Sequence, residues 1–201
     1  MKKIIFTVFG LTVFSTATQA QSFNIGPKVG ANFSSLSGVE GGKSKTGYYF
    51  GAFAEVGFSG KFSIQPEVLY TAQGGKYSTV SNSNNSVETE INNSYVSVPI
   101  MLKYRLFGGL GLEFGPKFDF LTKSDTKLRD LKINSKDSYQ SFNFGLGLGL
   151  SYKLPLGLNV DARYNFGLSK LNKNASIEGI PSSGENMKND VFQIGIGYRF
   201  L

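Results

Sequence analysis

The chain has no cysteine, no histidine and no tryptophan among its 201 residues. Without cysteine it can form no disulfide and carry no acylated N-terminal cysteine, so it is not a lipoprotein and needs no oxidising compartment to fold. Without histidine it lacks the side chain that passes protons at neutral pH in serine–histidine arrangements, which argues against an enzyme. With both missing, zinc and copper sites lose their usual ligands, and neither a catalytic residue nor a metal or cofactor site is expected. Beyond the first twenty residues no segment approaches the ~20 continuous apolar residues of a membrane helix. Whatever crosses lipid here must therefore cross as a closed barrel that satisfies its own backbone hydrogen bonds. Nothing points to nucleic acid as a partner.

Residues 1–20 read as an export signal: Lys2 and Lys3, an apolar stretch from Ile4 to Phe14, and small residues ending at Ala20, with cleavage before Gln21. Residues 21–201 form a single domain in this reading. Losing the two lysines lowers the formal charge of +7 to +5.

What the chain does have is strict alternation. Eight stretches place an apolar or aromatic residue at every second position, and charged, amide, hydroxyl or glycine side chains fill most of the intervening ones. They run over Phe23–Phe33, Tyr48–Phe58, Phe62–Tyr70, Val96–Leu106, Leu110–Phe120, Phe142–Tyr152, Leu158–Leu168 and Phe192–Phe200. A period of two belongs to strands. An even number of ~10-residue alternating segments predicts an all-β, eight-stranded, antiparallel up-and-down transmembrane β-barrel.

The connections alternate as well. Ser59 to Lys61, Phe107 to Gly109 and Lys153 to Pro155 are tight turns, whereas Ser34 to Thr46, Thr71 to Ser94, Thr122 to Ser141 and Ser169 to Val191 are long and polar. Both termini then lie at the short-turn end, which faces the periplasm in an outer-membrane barrel, with the long loops outside. Phe58, Phe62, Tyr104, Tyr152, Tyr198 and Phe200 mark one aromatic rim, and Phe33, Tyr48, Tyr70, Phe120, Phe142, Phe166 and Phe192 the other. Pro27, Pro66, Pro99 and Pro116 fall inside strands, where each removes a ladder donor, and are read as bulges or strand-end positions.

The same alternation could describe a soluble barrel with its apolar face inward. The polar face decides against it, because it carries Lys28, Glu55, Glu67, Lys103, Arg105, Glu113, Lys117, Asp119, Asp161, Arg163 and Arg199 together with Gly145, Gly147 and Gly149. A narrow polar lumen needs small residues opposite long ones, so the glycines make room for side chains such as Arg163. They complete no phosphate-binding loop. Acids and bases in near balance inside eight strands predict a lumen closed by salt bridges, since isolated buried charges are costly. A narrow porin-like channel for small solutes is the alternative, distinguished by a continuous water column.

Among the loops, the third carries Lys123, Lys127, Arg129, Lys132 and Lys136 against Asp125, Asp130 and Asp137. Mixed charge of this kind serves solubility, and an anionic lipopolysaccharide or an acidic partner is the competing use. Expected partners are outer-membrane lipid, the barrel-assembly and periplasmic chaperone machinery during biogenesis, and an envelope protein reached through the loops.

Local motifs add a family likeness. Gly26-Pro27-Lys28-Val29-Gly30-Ala31-Asn32-Phe33-Ser34, Gln65-Pro66-Glu67-Val68-Leu69-Tyr70 and Val96-Ser97-Val98-Pro99-Ile100-Met101-Leu102-Lys103-Tyr104, with Gly115-Pro116 and the closing Gly195-Ile196-Gly197-Tyr198-Arg199-Phe200, resemble the PorT-like family of outer-membrane β-barrels of Bacteroidetes. The terminal Tyr198, Arg199 and Phe200 resemble the aromatic-ended last strand that assembly machinery reads, and Leu201 departs from that ending. The resemblance implies outer-membrane residence after export. It also implies a structural or accessory place in an envelope or secretion complex, because the founding member is associated with secretion.

Overall fold

A computed structural model describes residues 22–37, 43–58, 60–81, 85–128, 131–134, 139–169 and 188–200. The expected signal segment lies outside them. The strands are β1 (Ser22–Ser37), β2 (Lys43–Gly57), β3 (Phe62–Ser81), β4 (Asn85–Arg105), β5 (Leu110–Leu128), β6 (Leu131–Asn134), β7 (Phe142–Lys153), β8 (Leu158–Gly167) and β9 (Lys188–Tyr198). They pair in the order β4-β3-β2-β1-β9-β8-β7-β5, and a β4–β5 ladder closes the ring, so eight antiparallel strands form an up-and-down barrel. The short β6 hangs on the far end of β5, from Asp125↔Asn134 to Leu128↔Leu131. Each of the eight alternating stretches forms the body of one barrel strand, with Phe58, Leu106, Leu168 and Phe200 falling just past the strand ends.

The two faces are inside out relative to a soluble protein. Along β9, Phe192, Ile194 and Ile196 are exposed while Val191, Gln193, Gly195 and Gly197 between them are buried. Arg163, Glu67 and Glu113 are no more than 1% exposed, whereas Val68 and Leu148 on the outer face exceed 50%. A soluble barrel would reverse this, so the apolar surface is the lipid face. Ring pairs border it at both ends: Phe62 and Tyr104 at 4.9 Å near the short turns, and Tyr164 and Phe166 at 4.6 Å toward the other rim. The β4–β5 turn reverses through Gly108 and Gly109, with φ of 53° and 100°, a conformation without steric cost only for glycine.

Two expectations are corrected. Thr71 to Ser94 is mostly strand and not loop: β3 and β4 continue as a ladder to Ser81↔Asn85, and β5 follows beside β4 as far as Thr89↔Leu128. Beyond the lipid the outward face need no longer be apolar, so alternation stops marking the strand, while backbone pairing, which ignores side-chain polarity, continues. The prolines, likewise, are not bulges. Pro66 keeps Ile100 as its β4 partner while the β2 ladder skips from Phe53↔Glu67 to Val56↔Ile64. Pro116 keeps Leu146 on β7 while the β4 ladder skips from Pro99↔Lys117 to Leu102↔Phe114. Register is unchanged across both gaps. One missing N–H is absorbed as a one-sided interruption, and the true register shifts fall near the polar rim, between Ser44 and Tyr49 and between Ser94 and Tyr95.

Candidate functional site: the barrel lumen

Inward residues of the strands meet across the axis, and the largest fully buried side chain there is Arg163 of β8. Its guanidinium grips Glu67 with two bonds, Nη2 to Oε1 at 2.9 Å and Nη1 to Oε2 at 3.2 Å, and donates to Glu113 Oε2 at 2.6 Å. A planar fork against a carboxylate is the geometry arginine suits best. Lys28 approaches both Glu67, at 3.1 Å, and Asp161, at 2.9 Å. Toward the short turns Lys103 lies 3.3 Å from Glu113 and 3.8 Å from Glu55, and Lys153 lies 2.5 Å from Glu55. Gln65 ties the layers, donating to Glu67 at 2.7 Å and accepting from Lys103 at 2.9 Å. Four cations, Lys28, Lys103, Lys153 and Arg163, thus face four anions, Glu55, Glu67, Glu113 and Asp161.

Room for this network comes from missing side chains. A Cβ on Gly147 would stand 3.2 Å from Arg163 Cδ, and one on Gly149 would stand 3.1 Å from Arg163 Cβ. These glycines clear the space for Arg163, as their spacing implies. The same device seats an aromatic pair that the charge pattern does not announce: Tyr49 lies over Gly30 and Gly195, and Phe53 over Gly197. Tyr49, Phe53, Leu69 and Met101, each at most 2% exposed, fill the axis beside the ions.

Nearer the long-strand end Lys117 pairs with Asp119 at 2.8 Å. Amides follow: Asn32 donates to Thr71 at 2.7 Å, Gln193 to Asn32 at 2.7 Å and Asn165 to Gln193 at 2.8 Å. Two small spaces flank the plug, of about 30 Å³ at the short-turn end and about 20 Å³ at the other. Each has room for a water or two, at ~10–15 Å³ of such space apiece. Among the described residues no three His, Cys, Asp or Glu side chains converge as metal ligands.

Of the eleven expected lumen charges, Lys28, Glu55, Glu67, Lys103, Glu113, Lys117, Asp119, Asp161 and Arg163 are buried inside. Arg105 is the correction: it is exposed, because it ends β4 and its inward phase opens into the barrel mouth. Arg199, just past β9, is half-buried. Lys153, assigned to a turn from the sequence, instead ends β7 and reaches Glu55; its phase with Ser151 and Gly149 was the available signal.

The model of the family described as "Outer membrane protein beta-barrel domain" matches residues 19–173, which take in β1 through β8. No curated protein matches in sequence. Among solved structures, Neisserial surface protein A is similar at a TM-score of 0.57 and 14% identity, covering 90% of this chain and 100% of its own. The attachment invasion locus protein Ail of Yersinia pestis, solved with the heparin analogue sucrose octasulfate, is similar at 0.51 and 15%, with 90% and 100% covered. With the inside-out barrel and the family match in agreement, the chain belongs to the outer membrane protein β-barrel domain family and is an eight-stranded barrel of the outer membrane.

Proposed function

We propose that this barrel is non-enzymatic and non-conducting: a PorT-like scaffold, structural or accessory to an envelope or secretion complex, that acts through the strands and loops projecting beyond the membrane. In this reading residues 1–20 are removed on export, chaperones and the assembly machinery deliver the chain, both termini of the barrel domain face the periplasm, and the extended β3–β4 hairpin faces outside. The observation that carries it is the Arg163–Glu67–Glu113 cluster. Its three side chains come from three strands, are fully buried and span the axis, so a hydrated ion would have to break charge-assisted hydrogen bonds to pass. Reconstituted wild-type protein gives no steady conductance in a planar bilayer. A stable ion-selective open state overturns the reading and puts the narrow-channel alternative in its place.

A further inference from the structure

Basic side chains gather at the short-turn mouth of the lumen. The space of about 30 Å³ there is lined by Lys61, Lys103, Arg105 and Lys153, with Glu55 the lone acid. Glu55 already engages Lys153 at 2.5 Å and Lys103 at 3.8 Å, and Arg105 makes no ion pair among the described residues. Lys61 of the β2–β3 turn and Arg105 at the end of β4 are tied together by the Arg105 N–H, which donates to the Lys61 carbonyl at 2.7 Å. Two exposed cations therefore sit side by side on the rim.

Immediately toward the membrane from this pair the outer surface is aromatic. Phe62 stacks on Phe58 at 6.1 Å and meets Tyr104 at 4.9 Å, while Phe107 in the β4–β5 turn is 74% exposed. Phe62 and Tyr104 also line the mouth itself, so the cationic and apolar surfaces are continuous. A space the size of a water or two cannot enclose an organic anion. An anion that uses these cations must sit at the opening with the rest of the molecule lying outside, against the aromatic wall.

We propose that the rim between the β2–β3 and β4–β5 turns is a binding site for a phospholipid of the short-turn leaflet. Its phosphate sits on Lys61 and Arg105, and its acyl chains run over Phe58, Phe62 and Tyr104. Phosphate is the group the cation pair recognises, and the aromatic wall selects a phosphate that carries an apolar tail. A net positive site favours an anionic headgroup over a zwitterionic one.

The test is native mass spectrometry of the full mature protein released from nonionic detergent, titrated with phosphatidylglycerol, phosphatidylcholine or inorganic phosphate. Wild type retains phosphatidylglycerol in preference to phosphatidylcholine. The K61Q/R105Q double variant loses on the order of tenfold in that retention, since each basic residue near a surface contributes measurably to anionic lipid affinity. The charge-preserving K61R/R105K variant keeps it, and so does K43Q/K123Q, which removes two cations from the opposite end. Heat-dependent mobility on a denaturing gel verifies that each variant is folded. Equal retention by wild type and K61Q/R105Q overturns the proposal, as does an equal loss in K43Q/K123Q. Displacement of phosphatidylglycerol by millimolar inorganic phosphate overturns the lipid assignment in favour of a free-anion site. None of these outcomes bears on conductance, so this site and the closed lumen stand or fall separately.

Discussion

The same β3–β4–β5 ladder runs through two environments, and they hold it differently. Within the lipid band each strand is pinned from both sides: outward Val68, Leu102 and Phe114 lie in lipid, and inward Glu67, Lys103 and Glu113 lie in the ion network. Slipping by one residue would exchange the two sets. Past Thr71 and Ser94 the ladder continues, first with buried contacts such as Ser124 donating to Asn93 at 2.7 Å, and farther out with the polar contacts of a surface, such as Lys45 to Glu90 at 2.9 Å with Glu90 still 25% exposed. Identical backbone pairing thus gives a rigid wall in one region and a tunable, solvent-facing sheet in the other.

The contrast is sharpest at Glu67. Glu67→Ala leaves Arg163 and Lys28 buried with a shared partner gone, and removing one member of a buried pair costs about 3–5 kcal/mol. Urea unfolding of the barrel in lipid vesicles should show a loss of that order. A cost below about 1 kcal/mol, the range of exposed pairs, would mean the network does not brace the wall.

On the opposite face Leu148→Arg places a cation in lipid near the middle of β7, where Leu148 is 52% exposed. The expected loss is about 2–4 kcal/mol in the same titration. Stability unchanged by this substitution would contradict the lipid assignment of that face.

The smallest effect belongs to the extension. Glu90→Gln should cost no more than about 1 kcal/mol, since its partner Lys45 is partly solvated. The hydrogen bond from Lys45 holds the Glu90 carboxyl below its ordinary value, with help from Asn92 and Lys76. A lowered carboxyl contributes stability above its unfolded pKa and loses it as pH falls through the lowered value. Amide protection factors at residues 88–92, with the pH dependence of intrinsic exchange divided out, should therefore fall below about pH 4.3 while those of the lumen-lining strands hold, and the Gln variant should lose this pH dependence. A uniform fall in protection along β4 would erase the distinction between the two regions.

Legibility in the sequence follows the same boundary. Alternation identified all eight barrel strands and the inward phase of the charges, because lipid on one side and a sealed lumen on the other impose opposite polarity at successive positions. It did not identify the strand extensions, where that constraint lapses. Phase also carries no depth: Arg105 has the same phase as Lys103, yet one is exposed at the mouth and the other is 4% exposed inside. Tyr49 and Phe53 escaped notice because their outward neighbours Tyr48, Phe50 and Ala52 already accounted for the apolar periodicity.

By itself the sequence determined the class of fold, the strand count, which side chains face lipid and that the interior must be nearly neutral. These follow from local periodicity and from the cost of buried charge, neither of which needs to know what lies across the barrel. The tertiary structure alone decided who pairs with whom. Strand stagger brings Arg163 of β8 to Glu67 of β3 and Glu113 of β5, sets Tyr49 over Gly195 of β9, and places Lys61 beside Arg105 at the short-turn mouth. Closing a sheet into a ring makes neighbours of residues far apart in the chain, and the shear that fixes those neighbours is a property of the whole ladder, written in no single strand.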